Sequence, residues 1–371
     1  MAYGTVNADT VTTSTAGGVL GAGNASIMKN RLINGTMAIS QYNGTSSITP
    51  TIAAYVVDRW QAIISQSSKL SFQQNAGSVT TPAGFTNYLG ATSLSAYSLV
   101  TSDYFLITQK IEGNNISDLG WGTASGKSVT LSFQVYSSLT GTFGLVVGNA
   151  ARTNVFPAAY SIPVANTWTP ISIQIPAPPN GASFPLGNGI GIEIDFGLGV
   201  ASNLCNTAGS WANGGLGVTG ATSVVGTSGA TFYITGVQLE VGSSATGYEY
   251  RQYGQELALC QRYYAKTYDT GTVAGTATTS GSIGSNVSAT WGYAPAGTWC
   301  FPVAMRTQPT ITIYSTINAN TTGVVTSDLT DGSGTYLNLG LSSVFIRRNN
   351  NSSGVVGGSD VRAQATASAE L

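Results

Sequence analysis

Residues 120–135 read GWGTASGKSVTLSFQV, and the fold turns on how Gly126-Lys127-Ser128 is taken. Gly-Lys-Ser closes the phosphate-cradling loop of nucleotide-binding proteins, but that loop needs a glycine five positions before the second one. Here that position is Trp121. The loop must also lead into a helix whose N-terminus faces the phosphates. The chain instead continues as Val129-Thr130-Leu131-Ser132-Phe133-Gln134-Val135, which alternates apolar and polar residues. A period of two is the mark of a half-buried β-strand. The segment is a Gly/Ser turn feeding a strand.

The same alternation recurs along the chain. Strands are expected at Leu32–Ser40, Tyr55–Ile63, Ser68–Gln73, Tyr104–Ile111, Val129–Tyr136 and Thr142–Val147. Others are expected at Ala159–Pro163, Thr169–Ile175, Gly189–Phe196 and Thr231–Leu239. Turn residues such as GTSS, NAGS, SSLTG and PAPPNG separate them. Short strands at this spacing predict a β-sandwich or jelly roll. Gly254–Tyr264 breaks the pattern: Leu257, Cys260 and Tyr264 fall on a helical stripe among good helix formers. Strands then resume at Ala289–Tyr293, Gly297–Val303, Thr310–Ser315, Tyr336–Leu341, Ser343–Arg348 and Asp360–Ala367.

The expected fold is therefore all-β, in four parts. Residues 1–28 form an extended arm rich in small residues that orders against a partner; residues 29–253 form the jelly roll. Residues 254–265 are a linking helix acting as a hinge, and residues 266–371 a smaller C-terminal β domain.

Composition narrows the function. Charged residues make up 8% of the 371, while glycine supplies 47 positions, so Ser, Thr, Asn, Gln and Gly must cover the surface. An average soluble domain carries roughly 25% charge. The 14 basic and 15 acidic residues form no long run, so the basic stripe that nucleic acid requires is missing. There is no histidine, which removes the commonest general base and metal ligand together with serine–histidine and cysteine–histidine nucleophile systems. Cys205, Cys260 and Cys300 read as free thiols, with a single bridge as the alternative. The N-terminal stretch does not read as a secretory signal, and no window reaches the roughly 20 apolar residues of a membrane span. No cofactor is expected. A virion component released by lysis fits this combination.

Several stretches carry a likeness. MAYGTVNADTVTTS at the start, GAGNASIMKNRLINGTMAISQ (21–41), AYVVDRWQ (54–61) and SGKSVTLSFQVYSSLTGTFGL (125–145) are four of them. ANTWTPISIQI (165–175), GIGIEIDFGLG (189–199), TFYITGVQLEVGSSATGYEYRQYGQELALCQRYY (231–264) and ATASAEL (365–371) are the others. Together they resemble a family of bacteriophage tail-fibre and virion-attached proteins. The resemblance implies a carbohydrate-binding-module-like jelly roll, a short helical link and a C-terminal β domain, in a homotrimer displayed on a virion. Binding to a host surface glycan fits it, and the small side chains of residues 1–28, an arm without a core of its own, point to attachment to other virion proteins through that arm. The alternative is a head fibre, capsid decoration or adaptor with a structural role only.

Site residues follow from that expectation. Sugar rings stack on aromatic faces, so the loop tryptophans Trp121 and Trp211 are the candidate platform, with Asp118 and Asn213 as polar neighbours. Trp60 and Trp168, in strand patterns, are expected in the core. Modules of this kind often hold a structural calcium, yet Asn34-Gly35-Thr36-Met37 has no carboxylate and Gly236 stands where an acid would be needed, so no metal is expected. Glu193 and Asp195 share one strand face, as a glycosidase pair would. With Ile192, Ile194 and Phe196 opposite, they read as the outward residues of an amphipathic strand, and the chain as a non-enzyme.

Overall fold

The computed structural model describes residues 11–12, 19–20, 29–287, 293–349 and 359–371. The chain is all-β with a single α-helix among the described residues. In the N-terminal arm, β1 (Val11–Thr12) and β2 (Val19–Leu20) pair antiparallel. The rest of the expected arm lies outside the described residues.

The sandwich begins with β3 (Ala53–Val57), β4 (Trp60–Ile64), β5 (Leu70–Gln74) and β6 (Leu89–Ser93). It continues through β7 (Tyr104–Glu112), β8 (Val129–Ser137), β9 (Gly141–Gly148) and β10 (Val155–Ile162). β11 (Thr169–Ile175) and β12 (Ile190–Val200) come next. A small parallel pair, β13 (Cys205–Asn206) with β14 (Gly217–Val218), precedes the long β15 (Thr231–Val241). Two antiparallel sheets result, in the orders β10-β9-β12-β7-β4-β3 and β11-β8-β15-β6-β5.

Alternation decides which side chains go between the sheets. On β8, Val129, Leu131, Phe133 and Val135 are buried and meet Ile192, Ile194 and Phe196 of β12. The Phe133 and Phe196 rings cross edge to face at 5.0 Å. Each fully buried side chain of this size contributes roughly 1.5–3 kcal/mol. Trp60 lies in this core, as its strand pattern implies.

Two expected strands differ in the structure: in one, side-chain hydrogen bonds stand in place of a ladder, and in the other a turn splits the run into two paired strands. Residues 32–40 run as buried turns. Asn34, at φ 58°, donates from Nδ2 to the carbonyls of Ile39 and Asp58 and accepts from the Ile39 amide. The Gln109 side chain pairs with both backbone groups of Ile33 at 2.9 Å. The second case, 55–63, is a hairpin: Arg59 takes a φ of 69° and reverses the chain between β3 and β4. No Asn-Gly or Asp-Gly announces that turn.

The linking helix α1 spans Tyr253–Gln261, with Cys260 buried; Tyr264 lies beyond it in β16 (Tyr264–Lys266). The C-terminal strands are β17 (Ile283–Asn286), β18 (Tyr293–Cys300), β19 (Thr310–Tyr314) and β20 (Val324–Ser327). They end with β21 (Thr330–Leu337), β22 (Ser343–Asn349) and β23 (Asp360–Ser368). The small inward residues Ala363, Ala365 and Ala367 let β23 serve as the hub, pairing with β16, β17, β19 and β20. The expected strand Ala289–Tyr293 lies largely outside the described residues.

A polar seam ties this second core to the sandwich. Glu112 accepts from Arg262 at 2.7 Å and from the Tyr263 hydroxyl at 2.7 Å. Tyr42 stacks on Tyr264 at 3.8 Å, and the buried Arg59 pairs with Glu370 while lying 3.6 Å over the Tyr263 ring. Buried contacts thus fasten the residues just after the helix to the sandwich.

Candidate functional site

The outer face of the five-stranded sheet carries what the inner face excludes. From β8 it presents Ser132, Gln134 and Tyr136, and register places Ser172 and Pro170 of β11 beside the first two. Tyr233 and Thr235 of β15 lie beside Tyr136 and Gln134. Beyond Tyr233 come Gly90 of β6 and Gln73 of β5. None of these residues is charged. One acid on this face, Glu240, is roofed by the loop after β15, where the Thr246 amide and hydroxyl bond to it at 2.8 and 2.6 Å.

Aromatic rings crowd one end of the face. Tyr136 stacks on Tyr233 at 5.3 Å with 7° between planes, and Tyr233 stacks on Tyr88 at 5.1 Å. Trp168 closes the group, 5.5 Å from both Tyr88 and Tyr136, and donates from Nε1 to the Thr80 carbonyl. Gly90 is required here: a Cβ would lie 2.8 Å from the Tyr233 ring. Tyr88 and Tyr233 are buried, whereas Tyr136 and Trp168 are half exposed. The expectation that Trp168 packs in the core is therefore half met, since its ring seals a surface cluster outside the sandwich.

Next to these rings runs a groove of about 250 Å³, floored by Ser132, Gln134 and Ser172 and walled by Phe85, Tyr248 and Thr246. Phe85, Tyr248 and the 61%-exposed Tyr250 form a second aromatic group, with centroids 5.1–5.9 Å apart. On β8 the side-chain hydrogen bonds go to Thr130 and Ser137, at the strand's two ends. Among the described residues none engages Ser132, Gln134 or Ser172. Their hydroxyls and amide face solvent between two sets of rings.

The tryptophans expected to form the platform lie elsewhere. Trp121 and Trp211 do come together, edge to face at 5.6 Å, with Phe184 against both. But Trp121 is only 7% exposed and belongs to the sandwich core, its Nε1 donating to the Lys127 carbonyl. Trp211 is half buried against Phe156 and donates to the Pro176 carbonyl. Glycine-rich loops here fold inward and plug the end of the sandwich, so the exposed indole face expected at Trp121 does not exist. Asp118 is held by a two-point ion pair with Arg31 at 2.7 and 2.8 Å, and Asn213 is exposed. Trp291 lies outside the described residues.

Glu193 and Asp195 face outward from β12 but are buried. Arg152 bridges the two carboxylates, and Thr108 donates to Asp195 at 2.7 Å. Burial lifts the Glu193 carboxyl while Arg152 opposes the rise. Strand alternation alone implies solvated acids; a guanidinium covers them because the β9–β10 loop folds back over the sheet. Among the described residues, no group of three or more Cys, Asp and Glu is arranged to hold a metal, and no helix is long and apolar enough to cross a membrane. Cys205, Cys260 and Cys300 are unbridged.

No protein-family model matches the chain, and no curated protein sequence matches it. Among solved structures it is similar to the enzymatically active domain of tailspike protein 4 of bacteriophage CBA120, at 15% identity and a TM-score of 0.30. That match covers 57% of this chain and 21% of the tailspike chain. It is also similar to TmCBM61 in complex with β-1,4-galactotriose: 12% identity, 58% of this chain and 99% of that one, TM-score 0.31. A third is the family 11 carbohydrate-binding module of cellulase Lic26A-Cel5E of Clostridium thermocellum: 13% identity, 53% and 96% coverage, TM-score 0.26. At these scores the likenesses are loose.

Proposed function

We propose that this chain is a non-enzymatic virion protein, a tail fibre or adhesin, that binds an uncharged host surface glycan on the outer face of its five-stranded sheet. The observation that carries the reading is one groove with free hydroxyl and amide groups on its floor, the rings of Phe85 and Tyr248 on its wall, the Tyr136 ring cluster further along the same sheet face and no charged residue in its lining. Sugars offer flat C–H faces to rings and hydroxyls to side chains of this kind. The groove's lining holds no cation to offset the desolvation of an acidic ligand's charge, and Lys29, behind the Thr246–Tyr248 wall, is already engaged by the Gly247 carbonyl and Glu240.

Binding without catalysis accords with the lack of histidine and with the capture of both β12 carboxylates by Arg152. The virion setting rests on the sequence resemblance and on the charge-poor surface, and it includes attachment through residues 1–28 and assembly as a homotrimer.

The test is binding of labelled full-length protein to intact host cells, before and after mild periodate oxidation of surface sugars. Periodate-sensitive binding that Gln134→Ala and Tyr136→Ala weaken supports the reading. Absence of cell binding by the assembled protein sinks it in favour of a purely structural part.

A further inference from the structure

Four oxygens from separate parts of the chain converge on the guanidinium of Arg251. The Leu32 carbonyl accepts from Nη1 at 3.1 Å and the Asn30 carbonyl accepts from Nη2. The carboxylates of Glu249 and Glu256 lie 3.0 and 3.5 Å from the same group. Each carboxylate also reaches the backbone: Glu249 accepts the Asn30 amide at 2.7 Å, and Glu256 accepts the Asn34 amide. Asn30 in turn bonds the Val237 carbonyl and the Leu239 amide of β15, each at 3.0 Å. One buried centre thus joins the segment that enters the sandwich, its last strand, the segment that leaves it and helix α1.

Two carbonyls and two carboxylates are the ligand set of a hard divalent cation. The family resemblance places a structural calcium in this part of a jelly roll. The residues present do not fit that ion, because Arg251 fills the centre and its side chain is 8% exposed. A divalent ion brought beside the guanidinium would set three positive charges against two negative ones in the same space, at low dielectric. We propose that Arg251 is the built-in cation of this cradle. It makes the joins a bound metal would make, the wild-type chain takes no calcium here, and the divalent site is latent behind the guanidinium.

The test is thermal unfolding of the full-length chain and of Arg251→Ala, each with EDTA and with millimolar calcium. Wild-type Tm is expected to be the same in both. Arg251→Ala is expected to lose roughly 5–10 °C, since two buried carboxylates lose their partner, and to recover most of that with calcium. Recovery should vanish in Arg251→Ala combined with Glu249→Gln and Glu256→Gln. If Arg251→Ala does not fold in EDTA, folding restored by calcium supports the proposal equally. A calcium-dependent Tm in wild type overturns it, and so does an Arg251→Ala variant that calcium leaves unchanged. Arg251→Lys keeps a cation in the cradle, so a calcium response in that variant also overturns it.

Discussion

The ring of Phe85 lies directly over Gly236: a Cβ on that glycine would come within 2.5 Å of the ring. Gly236 sits at φ 61°, in the bulge where β15 shifts register against β8 between Thr235 and Gln238. The missing side chain is what lets Phe85 wall the groove. Gly236→Ala is therefore expected to displace the ring and strain the backbone, at a cost of about 1–3 kcal/mol. Chemical denaturation gives the stability change, and glycan binding should fall in the same variant. Retained binding at wild-type affinity would separate Phe85 from the site.

Tryptophan substitutions should split by location. Trp121→Ala removes a core plug and is expected to destabilise by roughly 3–5 kcal/mol. Trp168→Ala and Tyr136→Ala remove half-exposed rings and should leave the fold intact while weakening glycan binding about tenfold or more. Differential scanning calorimetry beside a binding isotherm distinguishes these outcomes. The reverse pattern, a stable Trp121→Ala that fails to bind, would return the site to the loop end of the sandwich.

Much of this was legible in the chain. The alternation over 129–135 sends Val129, Leu131, Phe133 and Val135 inward and leaves Ser132 and Gln134 outside, and the structure has them so. What that pattern does not say is which outward residues stay uncovered. Ser132 and Glu193 look alike in sequence, yet Arg152 arrives from another loop to bury one and nothing arrives to bury the other. The hairpin at Asp58–Arg59 was hidden for a related reason. Its two turn residues are held by partners 17 and 311 residues away, Gln41 for Asp58 and Glu370 for Arg59. Loop tryptophans misled because glycine-rich flanks permit folding inward as readily as outward.

The Arg59–Glu370 pair should be a main fastening of the seam. Arg59 is 2% exposed, so truncating its partner leaves a buried cation without a carboxylate, held by the Lys110 carbonyl, the Tyr55 hydroxyl and the Tyr263 ring. Glu370→Ala is expected to cost about 3–5 kcal/mol, and Glu370→Gln less, because the amide oxygen still accepts. Urea denaturation measures both. A loss under about 1 kcal/mol for Glu370→Ala would mean the pair contributes little to holding the seam.

Stability should rise as the medium turns mildly acidic. Burial lifts the Asp58 carboxyl to about 6 against the pull of hydrogen bonds from Gln41, and burial lifts Glu370 against Arg59. A carboxyl raised on folding contributes stability that is complete below its unfolded value and lost as pH climbs through the folded one. For Asp58 that window is about pH 4 to 6, with up to about 3 kcal/mol at stake. Lys266, lowered to about 8 by burial, acts with the opposite sign and only at higher pH. Glu112 limits the gain in acid: burial pulls its carboxyl up, but bonds from Arg262, Tyr263 and Asn114 outweigh it and hold it low. Denaturation midpoints from pH 7.5 to 5 should increase, and Asp58→Asn should flatten the slope. A midpoint that falls over this range contradicts the assignment.

The most direct test of the uncharged sheet face is a binding series of neutral and acidic polysaccharides against wild type and Gln134→Ala/Tyr136→Ala, at low and high salt. A neutral glycan should bind, the double substitution should abolish binding, and salt should change the affinity little, because no ion pair is screened. Binding confined to acidic polysaccharides, collapsing as salt rises and indifferent to both substitutions, would contradict a neutral-glycan site on this face.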